Sequence, residues 1–135
     1  MSEDLITPEN LSKELLKSVF DTALMDVSYD RDGDLKVKDR VTCFVHPNDQ
    51  KDKIRLVTYF GFKSEASQQQ RLECANHINH EYIIVRAAVI SDVLKFDYDL
   101  PITGGITKKA LILTFKRFCS IPHDAVAEFG KEIVE

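Results

Sequence analysis

Cys74, His77 and His80 stand three residues apart, so on a helix a thiolate and two imidazoles would project toward one side and could ligate zinc. The spacing lies outside the usual zinc patterns, and polar side chains at a helix end are ordinarily solvated or capping. No metal site is expected. Asp30-Arg31-Asp32-Gly33-Asp34 has the composition of a calcium loop. Setting Gly33 at the loop's sixth position puts Ser28 first and Asp39, not a glutamate, twelfth. Asp-Gly between two alternating runs is better explained as a hairpin. Asp97 and Asp99 point to one strand face and could share a proton or a cation, but Lys95 on that face suggests a solvated surface. His46 and His123 have no neighbouring motif that would make either a general base. There is no nucleophile elbow, metalloprotease pair or dinucleotide fingerprint. No catalytic residue is assigned, and no cofactor is expected.

The stretch from Asp97 to Ala110, DYDLPITGGITKKA, has the order of strand, glycine loop and helix start that can cradle phosphate. It lacks the spacing that wraps backbone amides around the anion. Thr107 can cap the helix, and Gly104-Gly105 can take the backbone angles of a tight strand-to-helix passage. Lys108 and Lys109 oppose the helix dipole there, the one hint of a nearby anion. A structural joint is favoured. Gly104, Gly105, Thr107, Lys108 and Lys109 form the alternative, an anion or small-ligand sensing site.

Bulk properties narrow the classes further. A chain of 135 residues fits one domain, 1–135, with enough buried surface for a core without disulfide staples. Its 44% hydrophobic and 30% charged content excludes disordered and fibrous classes. The formal charge of −4, with basic residues scattered among acids, argues against nucleic acid as partner. The start, Met1-Ser2-Glu3-Asp4, has neither a positive region nor an apolar run. The most apolar segment, Tyr82 to Ile90, contains Arg86 and is too short to span a membrane. Cys43, Cys74 and Cys119 are odd in number and far apart, so they read as free thiols. A cytoplasmic protein with no membrane partner is expected.

Thr7-Pro8-Glu9 signals a helix start, and Leu11, Leu15, Leu16, Val19, Phe20, Ala23 and Leu24 recur at helical spacing, predicting a helix over about 8–24. A short strand near Met25 to Tyr29 follows. Leu35, Val37, Val41, Cys43 and Val45 then share one alternating face, which predicts one strand with a bend or bulge at Asp39. After a polar turn at Pro47 to Lys53, the alternation of Ile54, Leu56, Phe60 and Phe62 predicts another strand. A second helix opens at Ser64-Glu65, carries Ala66, Leu72, Ala75 and Ile78, and ends near Glu81. Strands at Tyr82–Ile90 and Val93–Leu100 precede a last helix at about 107–119. Its packing residues are Ile106, Ala110, Leu113, Phe115 and Phe118, and Pro122 should break or restart it. The order α-β-β-β-α-β-β-α makes this an α+β protein: an antiparallel sheet of about five strands with helices packed on one face.

Cys74-Ala75-Asn76-His77-Ile78-Asn79-His80-Glu81-Tyr82, followed by a strand pair and by Tyr98-Asp99-Leu100-Pro101 and Gly104-Gly105-Ile106-Thr107, resembles the YbjN-like family. That family is similar in fold to the type III secretion chaperones. The resemblance is specific over about 72–118 and one of pattern before that. It implies a non-enzymatic, chaperone-like or sensory-regulatory domain, often a homodimer. From the alternation itself, Leu35, Val37, Ile54, Leu56, Leu94 and Phe96 face the helices. Phe44, Val57 and Tyr59, amid Arg55, Lys95 and Asp97, then lie on the opposite face. Phe44, Arg55, Val57 and Tyr59 are thus the candidate surface for a protein or peptide partner or a second protomer. Alternatively, the segment after Pro122 folds across this face and covers it.

Overall fold

In the computed structural model, which describes residues 4–135, helices begin where a hydroxyl can satisfy a free amide. The order is β1 (Leu5–Ile6), α1 (Lys13–Thr22), β2 (Asp26–Tyr29), β3 (Leu35–Lys38), β4 (Thr42–Pro47), β5 (Lys53–Gly61), α2 (Gln68–Glu81), β6 (Arg86–Ile90), β7 (Val93–Pro101), β8 (Ile106–Thr107) and α3 (Lys108–Phe129). Ser12 caps α1 through Leu15 N, Ser67 caps α2 in a reciprocal box with Gln70, and Thr107 caps α3 through Ala110 N. The first helix is therefore shorter than the predicted 8–24. Thr7 starts only a turn, in which its carbonyl accepts from Asn10 N and Leu11 N and its own N–H donates to Asn10 Oδ1.

β2 to β7 form one antiparallel sheet of six strands in the order β2-β3-β4-β5-β7-β6, while β1 and β8 make a separate two-stranded ribbon. The expected single strand over 35–45 is a hairpin. Leu35 pairs with Val45 and Val37 with Cys43, so odd positions meet odd positions and the alternation crosses the Asp39-Arg40 turn without a change of phase. Periodicity alone could not see that turn. The hairpin expected at Asp32-Gly33 forms. Asp30 Oδ1 accepts from Asp32 N and Asp34 N, and Gly33 has φ +84°. An oxygen that a calcium site would use is thus bound to backbone amides.

All three helices pack on one face of the sheet. Leu35, Val37, Cys43, Val45, Ile54, Leu56, Leu94 and Phe96 are fully buried against Leu16, Phe20, Leu111, Phe115, Phe118 and Cys119. Phe20 meets Phe115 edge-on at 4.9 Å, joining α1 to α3. The buried positions of α3 are Leu111, Phe115, Phe118, Cys119, Ile121, Pro122 and Ala125. Leu113, like Leu72 of α2, points outward instead. The expected break at Pro122 does not occur, because α3 continues to Phe129. A mid-helix proline costs about 3 kcal/mol, which the burial of Phe118, Ile121, Pro122 and Ala125 offsets.

The strand expected from Tyr82 begins only at Arg86, since Tyr82 caps α2 and Ile84 takes φ +59°. β6 is an edge of the sheet, yet its middle is closed by α2. Asn79 Oδ1 accepts from Ala87 N at 2.8 Å, and Asn79 Nδ2 donates to Ala87 O at 2.9 Å. One side-chain amide thus stands in for the missing strand. Asn79→Ala is expected to lower unfolding free energy by roughly 1–2 kcal/mol, and amide exchange at Ala87 should accelerate. Urea denaturation with hydrogen exchange checks both, with exposed Asn76→Ala as the neutral control.

Candidate functional site

The face of the sheet away from the helices is assembled by strand register. One row crosses all six strands: Ser28, Lys36, Phe44, Val57, Asp97 and Arg86. A neighbouring row sets His46 beside Arg55 and Arg55 beside Asp99, and another sets Tyr59 beside Lys95 and Lys95 beside Ala88. The candidate residues Phe44, Arg55, Val57 and Tyr59 are therefore brought together, on β4 and β5. Phe44 stacks parallel to His46 at 6.2 Å and meets Tyr59 edge-on at 6.4 Å. Val57 is 3% exposed beneath this aromatic group, whereas Tyr59 is 51% exposed. The segment after Pro122 does not cover the face. Val134 joins the core and bridges Phe62 at the end of β5, and Phe129 packs on His77 and Tyr82.

Asp97 and Asp99 share neither a proton nor a cation. Arg86 grips Asp97 through both terminal oxygens at 2.9 Å, with Lys95 Nζ at 3.4 Å, and Arg55 grips Asp99 at 2.8 and 3.1 Å. Burial alone would raise the Asp97 carboxyl, but the bonds and charges of Arg86 and Lys95 outweigh it and hold the group below its ordinary value. The hydrogen bonds from Arg55 lower Asp99 likewise. Sequence alternation put these residues on one face, but which arginine meets which aspartate needed the strand register. Arg86, inside an apolar run, gave no signal of its role.

The other sequence candidates disperse. Cys74 is buried, His77 stacks on Phe129 and His80 is 80% exposed beside Glu81, so the three do not converge. No cluster of three or more metal-ligating side chains occurs among the described residues. A hydrogen bond with Cys43, together with burial, pushes the Cys119 thiol far up, and burial raises Cys74, which makes both poor nucleophiles. His46 belongs to the open face and His123 lies on α3 beside Asp124.

The loop candidates meet at a joint. Gly105 N donates to Ile102 O at 2.7 Å, Gly104 and Gly105 take φ of +87° and +89°, and Ile106 and Thr107 pair with Ile6 and Leu5. The Thr107 hydroxyl is occupied by Ala110 N. Lys108 and Lys109 border a groove of about 310 Å³ that Asp4 also lines. A second groove, of about 500 Å³, lies at one end of the open face, where Lys53 and Arg55 are offset by Asp49 and Asp99.

Fold and site together define a one-sided α+β protein with an open face of aromatic and ion-paired side chains. The chain belongs to the YbjN family, described as "Putative bacterial sensory transduction regulator", whose model matches residues 12–131. Its fold is similar to that of YbjN from E. coli at a TM-score of 0.76, with 14% identity over 93% of this chain and 96% of that one. An uncharacterized protein from Methanothermobacter thermautotrophicus is similar at 0.65, with 14% identity over 90% and 98%. The Yersinia pestis type III secretion chaperone SycH, in complex with a fragment of YscM2, is similar at 0.49, with 16% identity over 84% and 96%. No curated protein sequence matches the chain. No helix among the described residues is long and apolar enough to cross a membrane.

Because Asp97 is held below its ordinary value of 3.8, its stabilising contribution is present above that value and is lost as pH falls through it toward the folded one. Thermal melts between about pH 7 and pH 3 should show the wild type losing stability below about pH 4. Asp97→Asn, weaker at neutral pH, should decline less steeply over that interval.

Proposed function

We propose that this protein is a non-enzymatic, chaperone-like or regulatory module that binds a protein partner on the open face of its sheet, at Phe44, Arg55, Val57 and Tyr59. The observation that carries the reading is the half-exposed aromatic group over buried Val57, on a face that none of the three helices covers. The family's description as a sensory transduction regulator supports a regulatory role. Carboxylates already locked by arginine, thiols without access and scattered histidines support a role outside catalysis. The three free, buried thiols also favour a reducing, cytoplasmic setting.

Self-association belongs to the same reading, through the other edge of the sheet. Asp30 N donates to Asp34 O, and from that pair the alternation turns the backbone groups of Val27 and Tyr29 away from β3. A second protomer can pair there, whereas at the β6 edge the backbone groups of Ala87 are already taken by Asn79. Sedimentation velocity should show a concentration-dependent dimer that Val27→Pro abolishes; a monomer at every concentration removes this part.

Phe44→Asp and Tyr59→Asp should leave the circular dichroism spectrum intact and weaken a co-purifying partner at least about thirtyfold, the loss expected of an aromatic anchor. Partner recovery equal to wild type in both variants would eliminate the surface.

A further inference from the structure

The open face differs in sign from the rest of the molecule. Its outward strand positions carry six cations, Lys36, Lys38, Lys53, Arg55, Arg86 and Lys95, against three carboxylates, Asp26, Asp97 and Asp99. That is a face of +3 on a chain of −4, which leaves −7 elsewhere. The charges are also unevenly engaged. Arg55 and Arg86 are spent on Asp99 and Asp97, and Lys95 reaches Asp97. Lys36 and Lys38 have no carboxylate within ion-pair distance among the described residues; Lys36 is the strand partner of Phe44, and Lys38 follows on the same face, across from Asp26 of β2 but in no ion pair with it. An aromatic group over a buried valine is thus bordered by Lys36, with no carboxylate opposite it in the ladder, and beyond it by Lys38, which forms no close ion pair.

Building on the reading above, we infer that the partner received here is an acidic polypeptide segment, laying apolar side chains on Phe44, Val57 and Tyr59 and carboxylates on Lys36 and Lys38. A second copy is disfavoured, because two-fold pairing of this face would set cations against cations. Nucleic acid is disfavoured as well. It needs many uncommitted cations along a backbone, and here both arginines are taken while Asp97 and Asp99 would repel phosphate. A polypeptide requires only a few charges around an apolar centre.

The test is fluorescence anisotropy with three probes: a short synthetic peptide alternating glutamate and leucine, its lysine-leucine counterpart, and a single-stranded oligonucleotide of similar length. The acidic peptide should bind at least about tenfold tighter than either other probe and weaken as salt rises. The Lys36→Glu, Lys38→Glu double variant should lose about tenfold and regain affinity for the lysine peptide. Should that variant fold poorly, Lys36→Gln, Lys38→Gln should show the loss without the reversal. Equal binding of both peptides, preference for the oligonucleotide, or unchanged affinity after charge reversal would each overturn the inference. If Phe44→Asp abolishes partner recovery while the lysine variants are silent, the binding face stands and its acidic specificity falls.

Discussion

The ladder between β5 and β7 holds the rest in place. It pairs Lys53 through Gly61 with Val93 through Pro101 and joins the amino-terminal meander to the carboxy-terminal hairpin across the whole of α2. Because strand side chains alternate, a slip of one residue would carry Asp97, Asp99 and Lys95 into the helix-covered core and turn Leu94, Phe96 and Tyr98 outward. The cost of burying those charges sets the register, and the register sets every neighbour on the open face. Val57 lies beside Asp97, Arg55 beside Asp99 and Tyr59 beside Lys95 for this one reason.

Within that frame Asp97 and Asp99 are structural, each held in an ion pair. Asp97 is 3% exposed on a face without a helix, a burial that is tolerable only because Arg86 and Lys95 supply the lost solvation. Residues that looked like raw material for acid-base chemistry instead tie β5, β6 and β7 together at their outer surface. Local structure likewise accounts for the glycine pair, where turn geometry, the β1–β8 ribbon and the Thr107 cap engage Gly104, Gly105, Ile106 and Thr107. Apolar contact and unspent positive charge are what the surface has left to offer another molecule.

One-sided packing also decides where contact can happen. With α1, α2 and α3 on the inner face and Asn79 closing the β6 edge, the outer face and the β2 edge stay open. The first offers side chains and the second backbone groups.

Much of this is legible in the amino-acid sequence. Alternation places Leu35, Val37, Ile54, Leu56, Leu94 and Phe96 inward and Phe44, Val57 and Tyr59 outward, because a period of two is written directly into a half-buried strand. The Asp32-Gly33 hairpin and the Thr107 cap are readable because their chemistry is local. The Asp39-Arg40 turn is hidden, since pairing odd residues with odd residues preserves the phase through it. Continuation of α3 past Pro122 is hidden because core burial overrides a local rule. Long-range choices lie beyond the sequence altogether: which arginine holds which aspartate, that Asn79 of a helix closes the edge of a strand, and that the last residues return to Phe62 and leave the open face bare. The chain by itself determined which side of each strand is apolar; only tertiary structure decided which strands lie side by side, because register is chosen by the summed burial of residues far apart in sequence.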